Sequence, residues 1–275
     1  LSRWKHHIDY ERGKFSGEQT LGSSKNRAMQ KLCEDRIAKE LADHPELRAK
    51  VTPSHPYLGK RPVISDHYYS ALKRPNVMVA SAAARLVDGG LVDADGAIHQ
   101  LDVLVLATGF QASSYLGGIK VTGRGGIDLH QFWGSDPFAF LGMSVPGFPN
   151  FFIMYGPNTN TGPLVFLLEE QARYIAKSIR PIADGKATNL EVKPALNNWF
   201  QNWVQKRLGT TAWNAANNYF KSPSGKIVTQ WPGDVTTYWL LCRLCRPFAN
   251  VYRRVAFAEA SIGSSSSTTE QKNAA

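Results

Sequence analysis

The spacing of apolar residues predicts helices near both ends of the chain. Residues 25–50 place apolar positions at helical spacing among charged ones, and His44 with Pro45 interrupts the pattern. The same spacing recurs over residues 164–182, 197–208 and 238–246. A helical segment, residues 1–50, is therefore expected before a region of shorter elements.

Short apolar runs between these helices predict strands. The runs are residues 76–80, 85–87, 90–93 and 98–101, and their Asp-Gly and Gly-Gly turns favour a small β-meander. The next run, D-V-L-V-L-A-T-G-F at residues 102–110, is continuously apolar up to Thr108 and Gly109. Such a run favours a parallel strand buried on both faces, whose carboxyl end binds a ligand. An ordinary core strand that ends in a turn fits the same residues equally well.

Residues 150–182 have the order strand, glycine loop and helix. The apolar run at residues 150–155 predicts a buried strand, and the loop after it begins at Gly156. We expect Thr161 to cap the following helix and Pro163 to fit its first turn, which leaves backbone amides that attract an anion or a carbonyl oxygen. A plain capped junction without a ligand is the alternative.

Composition and charge narrow the class of protein. The 275 residues are 43% hydrophobic and 20% charged, which is typical of a globular chain with one large or two ordinary domains. The net charge of +10 arises from basic residues scattered near the two ends, without an RNA-binding, zinc-finger or basic-zipper pattern. We therefore predict no nucleic-acid partner, although a basic nucleic-acid binder remains a third hypothesis. No run reaches the roughly 18 apolar residues of a membrane span, and the Ser/Thr-rich end over residues 251–275 predicts a disordered tail.

The cysteines indicate a reducing compartment, which favours the cytoplasm. Cys33, Cys242 and Cys245 are too few for a disulfide framework. The pair Cys242 and Cys245 lies in a helical pattern, and no second Cys or His pair has zinc-ligand spacing. We predict two helix-face thiols and no metal site.

Several motifs occur in an order that resembles the carboxyl-terminal half of the flavin-containing, Baeyer–Villiger-type monooxygenases. They are Gly59-Lys60-Arg61-Pro62, Ser65-Asp66-His67-Tyr68-Tyr69, Arg74-Pro75-Asn76-Val77, Asp95-Gly96, residues 102–110, Gly156-Pro157-Asn158 and Trp231-Pro232-Gly233. The resemblance covers residues 25–246. It implies an α/β fold with an incomplete pair of Rossmann-like FAD- and NAD(P)-binding domains that lacks the N-terminal βαβ units. Residues 51–110 would then be the C-terminal part of the NADPH-binding domain with its meander, and residues 111–250 the C-terminal part of the FAD-binding domain with an active-site-lining segment.

The resemblance also implies roles for single residues. Arg61 matches the arginine that stabilises a flavin peroxide and the intermediate it forms with a carbonyl substrate, a role that suits a permanently charged guanidinium. Lys60 matches the neighbouring position that contacts the 2′-phosphate of NADPH. Cofactor-binding positions carried over in the same way are Thr108, Gly109, Gly156, Asn158, Thr161 and Gly162. Tyr219 stands where relatives carry Trp in the substrate pocket.

The implied function is the C-terminal portion of an NADPH-dependent FAD monooxygenase. Through a flavin C4a-peroxide, such an enzyme inserts one oxygen atom from O2 into a ketone or onto a heteroatom. The family also uses two G-x-G-x-x-G turns, and neither occurs in these 275 residues. The alternative hypothesis is therefore a truncated, catalytically inactive remnant or interaction protein of the same family.

Overall fold

The computed structural model describes residues 17–254 and has an α/β fold. The helices of this part are α1 (Ser24–Glu40), α2 (Pro45–Val51), α3 (Tyr68–Leu72), α4 (Leu129–Trp133), α5 (Leu164–Ala183), α6 (Pro194–Leu208), α7 (Ala212–Ala215) and α8 (Val235–Ala249). The strands are β1 (Ala83–Val87), β2 (Gly90–Asp93), β3 (Ile98–Gln100), β4 (Asn189–Val192) and β5 (Asn250–Arg253). They form two antiparallel sheets, one in the order β1-β2-β3 and one of β4 with β5.

The helix predictions are confirmed, because their apolar spacing was long and regular. Ser23 caps α1 by accepting a hydrogen bond from the amide of Asn26, and Pro45 begins α2 after the predicted interruption. The first helix buries Ile37, while Leu32 is 61% exposed. The later patterns correspond to α5, α6 and α8.

The β-meander is confirmed over β1, β2 and β3. Gly89 and Gly96 take positive φ angles of 68° and 86° in its two turns, a conformation that glycine adopts without steric cost. The carboxylate of Asp93 accepts the amides of Asp95 and Ala97, which closes the second turn. Residues 76–80, predicted as a strand, form none.

The prediction of a buried strand at residues 102–110 is wrong. The run forms no strand, and Val103 is 76%, Leu106 76% and Phe110 91% exposed. A buried parallel strand needs hydrogen-bonded neighbours and covering helices, and no described strand pairs with this run. Gly109 has the predicted turn conformation, with φ 87°.

The prediction of a strand at residues 150–155 is also wrong. The amide of Asn150 donates to Leu190 at 3.0 Å, that of Ile153 to Met143 at 2.8 Å, and that of Tyr155 to the side chain of Gln171 at 3.0 Å. Because the partners belong to three different segments, no ladder forms. The segment is nevertheless packed, since Ile153 is buried.

The main core lies where α5, α6 and α8 meet the Trp231 segment. Trp231 and Tyr238 are fully buried, and their rings meet edge to face at 5.1 Å. Phe200 of α6 stacks on Trp231 at 6.4 Å. Residues 251–253 belong to β5, so the predicted tail is wrong at its start. The remainder of that prediction, and the first 16 residues of the predicted helical segment, lie outside the described residues.

The two cysteines of the C-x-x-C pair lie on α8. Cys242 is buried, Cys245 is half-buried, and burial raises the pKa of both thiols. Within residues 17–254 no three potential metal ligands come together. In the same range no helix has the length and apolar character needed to cross a bilayer.

Candidate functional site

The loop that precedes Lys60 and Arg61 is tied to two distant parts of the fold. The side-chain amide of Asn26, on α1, donates to the carbonyl of Tyr57 at 3.0 Å. That of Asn218 donates to the carbonyl of Gly59 at 2.7 Å. Gly59 fits closely, because a Cβ there would lie 2.9 Å from the carbonyl oxygen of Pro56. The turn is therefore fixed just before the basic pair.

Lys60 and Arg61 themselves are exposed. In the part of the chain that the structure describes, neither side chain has a carboxylate within salt-bridge distance. A held loop with two cations that no carboxylate among residues 17–254 neutralises is suited to an anionic ligand.

Replacing Asn218 with Ala is expected to lower the free energy of unfolding by roughly 1–3 kcal/mol. Its amide also donates to the carbonyls of Trp213 and Ala216, and its oxygen accepts the amide of Phe220, so the change leaves several half-buried groups without partners. Urea denaturation measures the effect. Asn217→Ala, at an exposed neighbour, is the matched control, and equal loss in both variants would contradict this role for Asn218.

Tyr155 begins the loop that contains Gly156 and Asn158. Burial raises the pKa of its hydroxyl, while the positive charge of Arg61 lowers this pKa and the hydroxyl of Tyr219 raises it. The hydroxyl donates to the side-chain oxygen of Asn160 at 2.8 Å. Its backbone has φ 57°, and the bond from its amide to Gln171 holds this unfavourable conformation. The segments of two predicted site residues are joined by a different bond, since Asn218, next to Tyr219, donates to the carbonyl of Gly59, two positions before Arg61.

Gly156 and Asn158 are buried and shape the loop after Tyr155. A Cβ on Gly156 would lie 2.4 Å from the carbonyl oxygen of Gly142, so two backbones touch there. The side-chain amide of Asn158 donates to the carbonyls of Ile227 at 2.9 Å and Gln230 at 3.1 Å. Both amide hydrogens are therefore used within the protein.

Thr161 and Gly162 lie just before α5. The predicted cap at Thr161 is wrong: the N-cap position is Pro163, and no side chain caps the helix. The reason is that the helix begins at Leu164, too far along the chain for the Thr161 hydroxyl to serve as its cap. Thr161 is half-buried and Gly162 is exposed.

A cavity of about 540 Å³ lies beside Tyr219. One wall begins at Phe110, directly after Gly109, and the other contains Tyr219 and Asn218; the lining residues are Phe110, Gln111, Ala112, Ser113, Asn217, Asn218, Tyr219, Lys221, Ser222 and Pro223. Thr108 and Gly109 are exposed next to it, and no atom lies within 4 Å of where a Cβ of Gly109 would be. The volume is within the range of small-molecule sites.

Asp136 holds the second wall of this cavity. Its carboxylate accepts hydrogen bonds from the hydroxyls of Ser222 at 2.7 Å and Ser224 at 2.6 Å, and it pairs with Lys226 at 3.0 Å. Burial raises the pKa of Asp136, but the two hydroxyls and the ammonium lower it further, to about 2. The turn over residues 222–225 is thereby fixed.

This interaction should make stability depend on pH. The folded pKa of about 2 lies below the ordinary value of 3.8, so the stabilisation is present above pH 4 and is lost as the pH falls towards 2. We expect the stability difference between wild type and Asp136→Asn to shrink over this window in urea titrations. Asp184→Asn, which removes an exposed carboxylate paired with Lys186, is the control. A difference that stays constant from pH 6 to pH 2 would contradict the prediction.

Comparison with known proteins finds relatives that are monooxygenases. This chain is 34% identical over 227 residues to an FAD-binding monooxygenase of Aspergillus niger. The matched region covers 80% of this chain and 37% of that protein. A Baeyer–Villiger monooxygenase of Pseudomonas aeruginosa is 33% identical over 223 residues, across 79% of this chain and 42% of that protein. No family model matches.

A solved structure agrees with these relatives. Cyclohexanone monooxygenase from Rhodococcus sp. Phi1, bound to NADP+, superposes with a TM-score of 0.78 at 25% identity, over 92% of this chain and 50% of that one. The chain belongs to the Baeyer–Villiger-type FAD monooxygenase family. It spans between 37% and 50% of the length of these three relatives.

For a chain of this family, the site contains residues that the sequence did not single out. Asn218 and Asp136 organise the loops that carry Arg61 and Tyr219, and Tyr155 begins the loop of Gly156 and Asn158. The positive φ of Tyr155 could not be expected, because an aromatic residue rarely adopts it. Nothing in the sequence around Asn218 indicates a structural role for it. Its bond to Gly59 spans 159 positions, which no local pattern indicates.

Proposed function

We propose that this chain forms part of an NADPH-dependent FAD monooxygenase that inserts one oxygen atom from O2 into a ketone or onto a heteroatom. The observation that carries the proposal is the bond from Asn218 to Gly59, which ties the loop of the exposed Arg61 to the segment of Tyr219, a residue that lines a cavity of about 540 Å³. The homology to FAD-binding and Baeyer–Villiger monooxygenases supports it.

The proposed fold is an incomplete pair of dinucleotide-binding domains. Residues 51–110 would be the C-terminal part of the NADPH domain, and residues 111–250 the C-terminal part of the FAD domain. The exposed apolar run at residues 103–106 supports an incomplete domain, because a run of that composition is normally covered by further strands beside it. The cysteine content supports a cytoplasmic location.

Four of the proposed FAD-binding residues lie on open surface or at its edge. Gly109 has room beside it, as a ligand that approaches the backbone requires, and Thr108 is exposed with it. Thr161 and Gly162 lie before α5, where backbone amides favour partial negative charge. Since the donors of Asn158 are used and Gly156 is buried, we assign these two residues to shaping the loop. The residues present therefore fit a bound flavin.

Lys60 and Arg61 would act on different charges. Lys60 offers a compact ammonium to the 2′-phosphate of NADPH. Arg61 offers a fork of donors to the negative charge that develops during oxygen transfer. Bound FAD supplies the activation of O2. Asn218 holds the loop of Lys60 and Arg61 through its bond to the carbonyl of Gly59.

The substrate would enter beside Tyr219. Its ring packs on Phe220 at 4.5 Å, and its 45% exposure leaves one side free to contact a small molecule. Ser222 and Pro223 continue this wall, which Asp136 holds in place. A ketone or a heteroatom compound is the substrate class that the family relationship supports.

A second candidate is a non-catalytic remnant that binds a partner. Exposed apolar residues at 103–106 and Phe110 favour it, because monomeric proteins rarely leave such runs uncovered. The lack of a G-x-G-x-x-G turn in these residues favours it too.

Adding FAD to the purified chain separates the two candidates. Flavin absorption that stays with the protein through gel filtration is expected if these residues hold the cofactor without help. Protein that emerges colourless after FAD addition would contradict activity of the chain by itself, and would favour the remnant or a dependence on further polypeptide.

A further inference from the structure

A basic cleft lies between α5 and α8 and shares no lining residue with the cavity beside Tyr219. It has a volume of about 130 Å³. Its four cationic side chains come from both helices; they are Arg173, Lys177, Arg243 and Arg246. Positive charge is thus concentrated where the two helices face each other.

Two of these cations are held in place by the buried carboxylate of Glu170, which is 2% exposed. Arg173 approaches it at 2.5 Å, and Arg243 pairs with its second oxygen. The guanidinium of Arg243 also stacks on the ring of Trp239 at 4.2 Å. These side chains are therefore oriented before any ligand arrives, which lowers the entropy cost of binding.

The other two cations have no such partner. The side chains of Lys177 and Arg246 make no ion pair or hydrogen bond with any residue in the range 17–254. Tyr174, also in the lining, has a buried hydroxyl that lies near the amide of Asn250 without meeting hydrogen-bond geometry. Buried hydroxyls are nearly always bonded, so this one has capacity for an acceptor.

We propose that this cleft binds a phosphate group, either as free phosphate or on a lipid head group. Lys177 and Arg246 supply charge that no residue in the range 17–254 compensates, and the oxygens of a tetrahedral phosphate group supply several acceptors for ammonium and guanidinium donors. This site is independent of the proposed monooxygenase function, since none of its residues belongs to that site.

Inorganic phosphate titrated into the whole chain by calorimetry, at constant ionic strength set with NaCl, tests the proposal. We expect one site, weakened about tenfold or more in the double variant Lys177→Gln and Arg246→Gln, because hydrogen bonds to charged groups are lost. The control is Arg85→Gln with Lys206→Gln, two exposed cations outside the cleft, which should bind phosphate like the wild type. The proposal is overturned if the first double variant binds like the wild type, or if NaCl alone gives the same heat.

Vesicles identify the source of the phosphate group. In one outcome the protein sediments with phosphatidylglycerol vesicles, and inorganic phosphate and the Lys177 and Arg246 double variant each abolish this sedimentation. That result would assign a lipid head group as the source of the phosphate. Phosphate binding without such sedimentation would assign a free phosphate. If the double variant still sediments with the vesicles and still binds phosphate like the wild type, the cleft is not the phosphate site.

Discussion

Arg61→Ala is expected to abolish oxygenation while NADPH still reduces the flavin. The side chain of Arg61 is exposed and has no carboxylate partner among residues 17–254, and its loop is bonded through Gly59 to Asn218, next to Tyr219. Loss of a preorganised donor to a developing negative charge costs on the order of 10²–10³ in rate. Hydride transfer to the flavin does not need that donor, so reduction should persist.

The measurement uses a chimera in which this chain replaces the aligned segment of the Aspergillus niger relative. NADPH oxidation and oxygenated product are followed together, and hydrogen peroxide is expected in place of product. Arg85→Ala, which removes an exposed arginine on β1, is the matched control. Product formation that survives Arg61→Ala at more than about a tenth of the control rate would exclude the role given to Arg61.

Gly142→Ala is expected to lower the free energy of unfolding more than Asn218→Ala does. The residue has φ 67°, and a Cβ would lie 2.0 Å from the methyl carbon of Thr159 and 3.0 Å from the carbonyl oxygen of Pro157. The left-handed conformation costs roughly 1–2 kcal/mol for a non-glycine residue, and overpacking adds about 1–3 kcal/mol. The loop from Gly156 to Thr159 would have to move, so the free energy of unfolding should fall by about 2–5 kcal/mol in urea denaturation.

Gly185→Ala separates the two causes. Gly185 has nearly the same φ, 69°, but nothing lies within 4 Å of its added Cβ. It should therefore show only the conformational part of the loss. Thr159→Ser removes the clashing methyl group, so adding it to Gly142→Ala should restore part of the lost stability. Equal losses of stability in Gly142→Ala and Gly185→Ala would show that the contact with Thr159 does not destabilise the Gly142 variant.

The helices were predictable because their apolar spacing is long and is satisfied by packing against a nearby core. In α8, Tyr238 and Cys242 lie on the buried face of the helix. In α5 the spacing indicates the helix but not its buried face, since Glu170 and Gln171 are buried while Ile179 is 41% exposed. The meander was predictable because Gly89 and Gly96 define its turns locally.

The two strand predictions at residues 102–110 and 150–155 failed for a different reason. A strand exists only with a hydrogen-bonded neighbour, and the apolar run alone does not say whether one is present. Residues 102–110 have no such neighbour in the described fold, and residues 150–155 bond to several unrelated segments instead.

Arg61, Lys60 and Tyr219 were found in the sequence through a family resemblance. Their proximity was not, because it depends on long-range bonds. Asn218 reaches Gly59, Asn158 reaches Gln230 and Asp136 reaches Ser222, each across at least 72 positions of the chain. Side-chain amides and carboxylates of this kind carry no periodic signal, so only the folded structure reveals them.

The central claim is that this chain supplies the arginine-bearing part of a flavin monooxygenase site. Product formed by the chimera from a ketone, NADPH and ¹⁸O-labelled O2, and analysed by mass spectrometry, tests that claim most directly. The account predicts one labelled oxygen atom in each product molecule, and none in the Arg61→Ala variant. A folded, flavin-containing chimera that forms no labelled product would contradict it.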